Sequence, residues 1–283
     1  MNGKMIVFDG NSILNRAYYG VRPLNTKDGF PTNALFGFVN ILQKNLAPGY
    51  DYAAIAYDLR EKTFRHIRCD TYKATRRPMP EDLAKQLPVS KEIAELMGLH
   101  VLTAAGFEAD DILGTLSRIA KENDVECVIV TGDRDSYQLV CDGVTVHLAA
   151  NNETRIIDTK AIDEMYGLTP SQLIDLKAVM GDSSDNISGV PGIGEKGALE
   201  LMHQYGSLDG IYAHIDEIKG GKKTKLENGR ESARESKWLA TICTDAPIDN
   251  SLENYRLGEP DNEKLSELLT ELEMTKLLQK LSL

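Results

Sequence analysis

Three short apolar runs in this chain each lead straight into acid. Met5 to Phe8 precedes Asp9, Tyr52 to Tyr57 precedes Asp58, and Glu126 to Val130 precedes Asp133 and Asp135. Between the first two runs, Leu35, Phe38, Val39, Leu42 and Leu46 recur at helical spacing over Ala34 to Leu46, and the pattern stops before Pro48-Gly49. Strand, helix and strand in that order form a βαβ unit, so the spacing predicts an α/β fold with a mostly parallel central sheet covered by helices. Parallel strands point the same way, and the acids that follow them emerge at one edge of the sheet. Ligands of open α/β sheets bind in the crevice at that edge.

The chain has 283 residues, enough for one large core with a smaller module attached. We expect an α/β core over residues 1–160 and a helical module over 161–283. Ahead of the first helix, LNTKDGFPT carries the Asp-Gly turn of a small hairpin. From Arg60 to Pro80 periodicity is lost, and Arg60, Lys62, Arg65, Arg68, Lys73, Arg76 and Arg77 form a basic patch. A helix is expected to begin near Glu81-Asp82 and another at Glu108, since acids in a first turn suit the helix dipole. Residues 219–230, KGGKKTKLENGR, read as an exposed basic loop.

The formal net charge of -11 argues against a uniformly basic DNA-coating protein and leaves local basic patches open. Cys69, Cys127, Cys141 and Cys243 form no C-x-x-C pair and have no histidine at zinc-finger spacing, so reduced thiols are expected. The N-terminus lacks the long apolar region of a signal peptide, and no segment has the unbroken apolar length of a membrane span. These features lead us to expect a soluble, cytoplasmic protein.

GFEADD adds Glu108, Asp110 and Asp111 at a helix start, and GDSSDN adds Asp182 and Asp185, which face the same way if that turn is helical. Any one of these acids serves equally well as a helix cap or turn residue. Gathered together without cations, they would repel one another and raise their own pKa values. Hard divalent ions with oxygen ligands relieve that conflict. Mg²⁺ or Mn²⁺ fits best, because no histidine or cysteine lies among the acids. Two such ions roughly 3.5–4 Å apart support phosphodiester hydrolysis, and the basic segment supplies charge for a nucleic-acid backbone.

Taken in order, IVFDGN, AIAYD, TFRH, YKATR, GFEADD, TGDRD, GDSSDN and GVPGIGEK closely resemble the 5′ nuclease domain of bacterial DNA polymerases I, a member of the flap endonuclease family. The resemblance covers nearly the whole chain. It implies a PIN-like 5′ nuclease core with a helical arch at about 60–90, and a C-terminal helical module with a helix-hairpin-helix at about 187–205. It further implies metal-dependent flap endonuclease and 5′→3′ exonuclease activity, in DNA replication and repair, on DNA with a 5′ flap, nick or free 5′ end. Asp9, Asp58, Glu108, Asp110, Asp111, Asp133, Asp135, Asp182 and Asp185 match the family's metal-site acids. Lys73 and Arg76 match its cations beside the scissile phosphate. By the same resemblance Arg16 and Arg65 are expected to contact phosphates, Arg77 to bind DNA, and Tyr72 to contact a base or the 5′ region. Gly189, Gly192, Gly194 and Lys196 would approach the duplex backbone. A potassium ion would be held there by the carbonyls of Val179, Met180, Ile187, Val190 and Ile193. A monomer, fused to or cooperating with a DNA polymerase, completes the expectation.

Three rival readings are open to the residues. Gly192, Gly194 and Gly197 fit the dinucleotide fingerprint, but that motif must follow a strand. An aspartyl-nucleophile phosphatase would use Asp9, yet Asn11 stands where its second acid belongs. A non-catalytic module that binds DNA structures would not need the full acid set.

Overall fold

In the computed structural model, which describes residues 2–149 and 154–282, the chain begins with β1 (Lys4–Asp9), α1 (Gly10–Gly20), α2 (Asn33–Leu46), β2 (Tyr52–Ala56), α3 (Phe64–Arg68) and α4 (Glu81–Leu96). It continues through β3 (His100–Leu102), α5 (Ala109–Glu122), β4 (Glu126–Thr131), β5 (Val144–Ala149), β6 (Thr154–Ile157) and α6 (Thr159–Tyr166). A helical run follows: α7 (Gln172–Met180), α8 (Glu195–Tyr205), α9 (Leu208–Ala213), α10 (Gly220–Asn228) and α11 (Arg230–Ala240). The chain closes with α12 (Asn262–Glu271) and α13 (Thr275–Leu281).

One six-stranded sheet has the order β3-β2-β1-β4-β5-β6, with β1 to β5 parallel and β6 antiparallel to β5. Beyond Lys4, β1 is buried on both faces, which is why KMIVFD shows no alternation. Ile6, Phe8, Ala53 and Ile55 pack against residues of α1, α2, α4, α12 and α13. Met5, Val7, Ala54 and Ala56 pack against α5 and, through Ile162, α6. A third cluster, including Val179, Leu201, Ile211, Leu226 and Ala233, unites α7 to α11.

Strand order reverses at β1, whose two neighbours are β2 and β4. The connection from β1 to β2 runs through α1 and α2 on one face of the sheet and that from β3 to β4 runs through α5 on the other, which opens a crevice at the carboxyl end of β1, where Asp9 stands.

Several expectations need correction. Strands β3, β5 and β6 were not foreseen: β3 is three residues long, and β6 is an edge strand with Arg155 and Ile156 exposed. Residues 219–230 are not a loop, because Gly220–Asn228 is helical and Leu226 anchors it in the third cluster. Within residues 60–90, where the arch is expected, part of the chain packs into the core. Leu83 and Gln86 of α4 are fully buried, and Gln86 Oε1 accepts the N–H groups of Ala34 (2.9 Å) and Leu35 (3.1 Å), capping α2 from a distance. The longest continuously exposed stretch there is residues 74–79. The expected hairpin is reduced to a single bridge, Asn25 with Pro31.

The final two helices also depart from expectation, since α12 and α13 return to the sheet core rather than joining α7 to α11. Leu269→Ala, in a fully buried position on α12, is therefore expected to destabilise the sheet domain by about 2–5 kcal/mol. Urea unfolding followed at the sheet would show this as a lower midpoint, whereas a peripheral helix would leave the midpoint unmoved.

Candidate active site

Asp9 ends β1 and caps α1, its Oδ1 accepting the Ser12 N–H at 2.9 Å. Its Oδ2 accepts the Thr131 hydroxyl at 2.8 Å, and Thr131 Oγ1 in turn accepts the Asp133 N–H at 3.0 Å. This relay fixes the ends of β1 and β4 against each other. Asp58 follows β2, and its Oδ1 accepts the Ala109 N–H at 2.8 Å in the first turn of α5. The Asp58 N–H donates to Asn11 Oδ1 at 2.9 Å. Asn11 thus has a local structural task at the position where a phosphatase would need its second acid.

These groups line a cleft of about 530 Å³ with Lys73, Arg76, Glu108 and Asp110. An adjoining cleft shares Gly132 and Asp133 and adds Asp135, Lys177 and Asp182. Burial first, then Asp58 and Asp133, push the Asp9 carboxyl up to about 7 against the hydrogen bonds from Ser12 and Thr131. Burial, Asp9 and Asp133 raise Asp110 well above the usual carboxylate range. Among the described residues Asp110 has no hydrogen-bond or ion-pair partner for its carboxylate. Asp135 rises to about 6 through burial, although Lys177 opposes the shift.

Cations hold the remaining acids. Lys73 Nζ lies 2.7 Å from Glu108 Oε1 and 3.8 Å from Asp185 Oδ2, and Arg76 pairs with Asp185. Lys73 has a left-handed backbone (φ 56°), a conformation that costs about 1–3 kcal/mol. Its N–H donates to the Asp185 carbonyl at 2.9 Å, so the strained residue is clamped where its ammonium meets Glu108. Lys177 pairs with Asp135 and Asp182, and with Ser184 it outweighs burial to hold Asp182 at about 2.

Asp182 and Asp185 do not share a helical face. The Asp182–Ile187 bridge and the left-handed Asn186 make a tight turn, which sends the two carboxylates to different cations.

Three expected site residues lie elsewhere. Arg65 is buried and cannot meet a phosphate as it stands. Its guanidinium makes a two-pronged pair with Asp111 (2.7 and 2.8 Å) and donates to the carbonyls of Leu239 and Thr241. Asp111 is fully buried, with both oxygens taken by Arg65 and a further bond from the Cys243 N–H, so it faces away from the cleft. Tyr72 is also buried, its hydroxyl donating to Glu108 at 3.0 Å, and it has no exposed ring to offer a base.

Arg16 and Arg77 line the first cleft. Lys177 was missed. Its signal was a single cation in an apolar helix five residues before Asp182.

The glycine-rich segment links α7 to α8 without a preceding strand, which removes the dinucleotide reading. Gly189 must be glycine: its φ is 63°, and a Cβ would stand 2.2 Å from the Gly181 nitrogen. Ser236 Oγ accepts the Gly189 N–H, and Ser232 donates to its carbonyl at 2.6 Å. Lys196 lies in the first turn of α8, and Gly194 caps that helix. The carbonyls of Val179, Ile187 and Val190 already accept backbone N–H groups from Val190, Asp182 and Ile193.

Among the described residues, no three acid, histidine or cysteine side chains are gathered into a ready-made metal cage. The donor chemistry nevertheless fits a hard cation. Asp9, Glu108 and Asp185 are buried, Asp110 is unpartnered among the described residues, and lysine or arginine already sits against Glu108, Asp135, Asp182 and Asp185.

An acid-lined crevice at the switch point of a mostly parallel, doubly wound sheet, joined to a helical module with a glycine-rich turn, defines a class of α/β cores that carry a helical appendage. Residues 4–167 match the 5′-3′ exonuclease N-terminal resolvase-like domain, and residues 168–263 match the 5′-3′ exonuclease C-terminal SAM fold. The chain belongs to the 5′-3′ exonuclease family.

It is 40% identical over 285 residues to DNA polymerase I of Caldicellulosiruptor bescii, covering 99% of this chain and 34% of that one. It is 38% identical over 282 residues to DNA polymerase I of Bacillus subtilis, covering 98% and 32%. The chain thus spans about a third of the length of these relatives. In fold it is similar to the bacteriophage T5 5′-exonuclease with zinc bound (TM-score 0.70, 21% identity, 85% of this chain and 90% of that one). It is also similar to the catalytic core of Rad2 in complex with DNA substrate (TM-score 0.62, 18% identity, 95% and 87%).

Asp9 (about 7) and Asp135 (about 6) stand above their ordinary value of 3.8. Between those limits the folded chain binds protons that the unfolded chain has released, so stability falls as pH rises through the window. Asp182 has the opposite sign, and its contribution is lost only as pH falls from 3.8 toward about 2. In chelator, the melting temperature is expected to be higher at about pH 5 than at about pH 8, and Mg²⁺ should narrow the gap. Equal melting temperatures in chelator would contradict the crowding of these acids.

Proposed function

We propose that this protein is a structure-specific 5′ nuclease that hydrolyses DNA phosphodiesters at 5′ flaps, nicks and free 5′ ends, in replication and repair. The observation that carries the reading is the convergence of Asp9, Asp58, Glu108, Asp110 and Asp133 in one cleft that Lys73 and Arg76 also line. In this reading Asp9, Asp58, Glu108, Asp110, Asp133, Asp135, Asp182 and Asp185 hold two or more divalent ions, Mg²⁺ or Mn²⁺. Bound there, the ions would supply a hydroxide from water and neutralise charge on the leaving oxygen.

The chain's own residues do the rest. Lys73 and Arg76, the latter half exposed, turn from Glu108 and Asp185 to the scissile phosphate. Arg16 and Arg77 steady the flanking backbone at the cleft wall. The exposed stretch 74–79 lies over the cleft, where Arg76, Arg77 and Met79 line it, and guides the single-stranded 5′ end. Gly192, Gly194 and Lys196, all exposed, approach the duplex beside the cut at the start of α8, while Gly189, whose N–H is taken by Ser236, shapes the turn that presents them. A potassium ion at the same turn would use the second lone pairs of the Val179, Ile187 and Val190 carbonyls together with Met180 and Ile193.

The protein would act as a monomer in the cytoplasm, as part of or beside a DNA polymerase. Both endonucleolytic and exonucleolytic cutting follow from where the 5′ end lies relative to the cleft.

The reading is tested on a labelled 5′-flap duplex. Cutting is expected with Mg²⁺ and not with chelator, and Asp133→Ala should abolish it. Lys73→Ala should slow single-turnover cleavage by about 10²–10³-fold, the scale for losing one donor to developing charge. DNA binding should weaken steeply with salt. Metal-independent cutting at the wild-type rate by Asp133→Ala would sink the proposal.

A further inference from the structure

Lys177 is a cation set between acids that come from two parts of the fold. It stands on α7 of the helical module, and its Nζ bonds Asp182 Oδ2 at 2.7 Å and also Asp135 Oδ1, which belongs to the segment after β4. The three side chains are 16%, 16% and 21% exposed, so water screens the contacts poorly. The neighbouring cluster is built differently. Among the described residues no cation pairs directly with Asp110, which has Asp9 and Asp133 beside it and feels Lys73 only through space.

We infer that Lys177 is a built-in competitor for the Asp135–Asp182 subsite, so that this subsite takes a divalent cation more weakly than the Asp9–Asp110–Asp133 cluster and fills second. The inference rests on the metal-dependent reading above. An ion coordinated by Asp135 and Asp182 must take oxygens that now accept from the ammonium. The four-carbon stem lets the ammonium swing aside without moving α7. Filling the second subsite thereby breaks one link between the helical module and the sheet and replaces it with a metal bridge.

The test is Mn²⁺ binding to the full chain without DNA, followed by calorimetry and by the electron paramagnetic resonance signal of free Mn²⁺. Wild type is expected to show a tighter and a weaker class of site. Lys177→Met, which keeps the length and loses the charge, should tighten the weaker class by about tenfold or more. Lys177→Arg should leave it weak. An unchanged or weakened second class in Lys177→Met, with the tighter class intact, overturns the inference.

A measurement on wild type alone guards against a variant that fails to fold. With ¹⁵N-labelled lysine, the Lys177 side-chain resonance should shift over the Mg²⁺ concentrations that fill the weaker class, and a resonance unmoved while that class fills would refute the competition. Wild type that binds no Mn²⁺ at either class would overturn the metal-dependent reading itself, a result distinct from two classes that ignore Lys177.

Discussion

Carboxylates delivered to one cleft repel one another, and the rest of this structure is arranged around that repulsion. The parallel sheet causes it: β2, β1 and β4 are adjacent and point the same way, so Asp58, Asp9 and Asp133 emerge together at the switch point. Helix α5 then adds Asp110 from the side. Burial removes the water that would otherwise screen the group, and Asp9 and Asp110 respond by holding protons more tightly. The sheet could be built without this cost, since nothing in strand pairing needs an acid at those positions.

The scaffold contains the repulsion by two means. Backbone N–H groups at helix starts take Asp9 and Asp58, where the helix dipole also favours negative charge. Lysine and arginine take Glu108, Asp185, Asp135 and Asp182, and each cation bridges separate elements: Lys73 reaches α5, Arg76 reaches the turn after α7, and Lys177 joins α7 to the segment after β4. Arg65 does the same in the interior, tying α3 to Asp111 of α5 and to the end of α11. Its pair with Asp111 is buried and richly hydrogen-bonded, the condition under which removing one partner is most damaging. The helical module is thus connected to the site by charge as well as by packing.

How much of this was legible in the sequence varies with the kind of signal. The βαβ unit over Met5 to Tyr57 was readable because its strands are apolar on both faces and its helix keeps a clean stripe. The convergence of Asp9, Asp58 and Asp133 followed from strand direction alone. Short β3 and edge strand β6 left too little pattern to read, and Leu226 alone turns the basic stretch 219–230 into a packed helix. Adjacent acids proved the hardest to sort. Asp110 and Asp111 are chemically equivalent in the sequence, but successive helix positions point about 100° apart, so one faces the cleft and the other faces Arg65. Likewise Arg65, Tyr72 and Arg76 all lie in one basic segment, and only burial separates the two that hold the fold from the one left half exposed.

If repulsion is the organising constraint, neutralising the unpartnered acid should help the fold and harm the site. Asp110→Asn changes charge with almost no change in shape, and thermal unfolding in chelator and in Mg²⁺ reads both effects. The account expects Asp110→Asn to melt above wild type in chelator and to lose most of the stabilisation that Mg²⁺ brings to wild type. A variant that melts at or below wild type in chelator, or that Mg²⁺ stabilises as much as wild type, would contradict it.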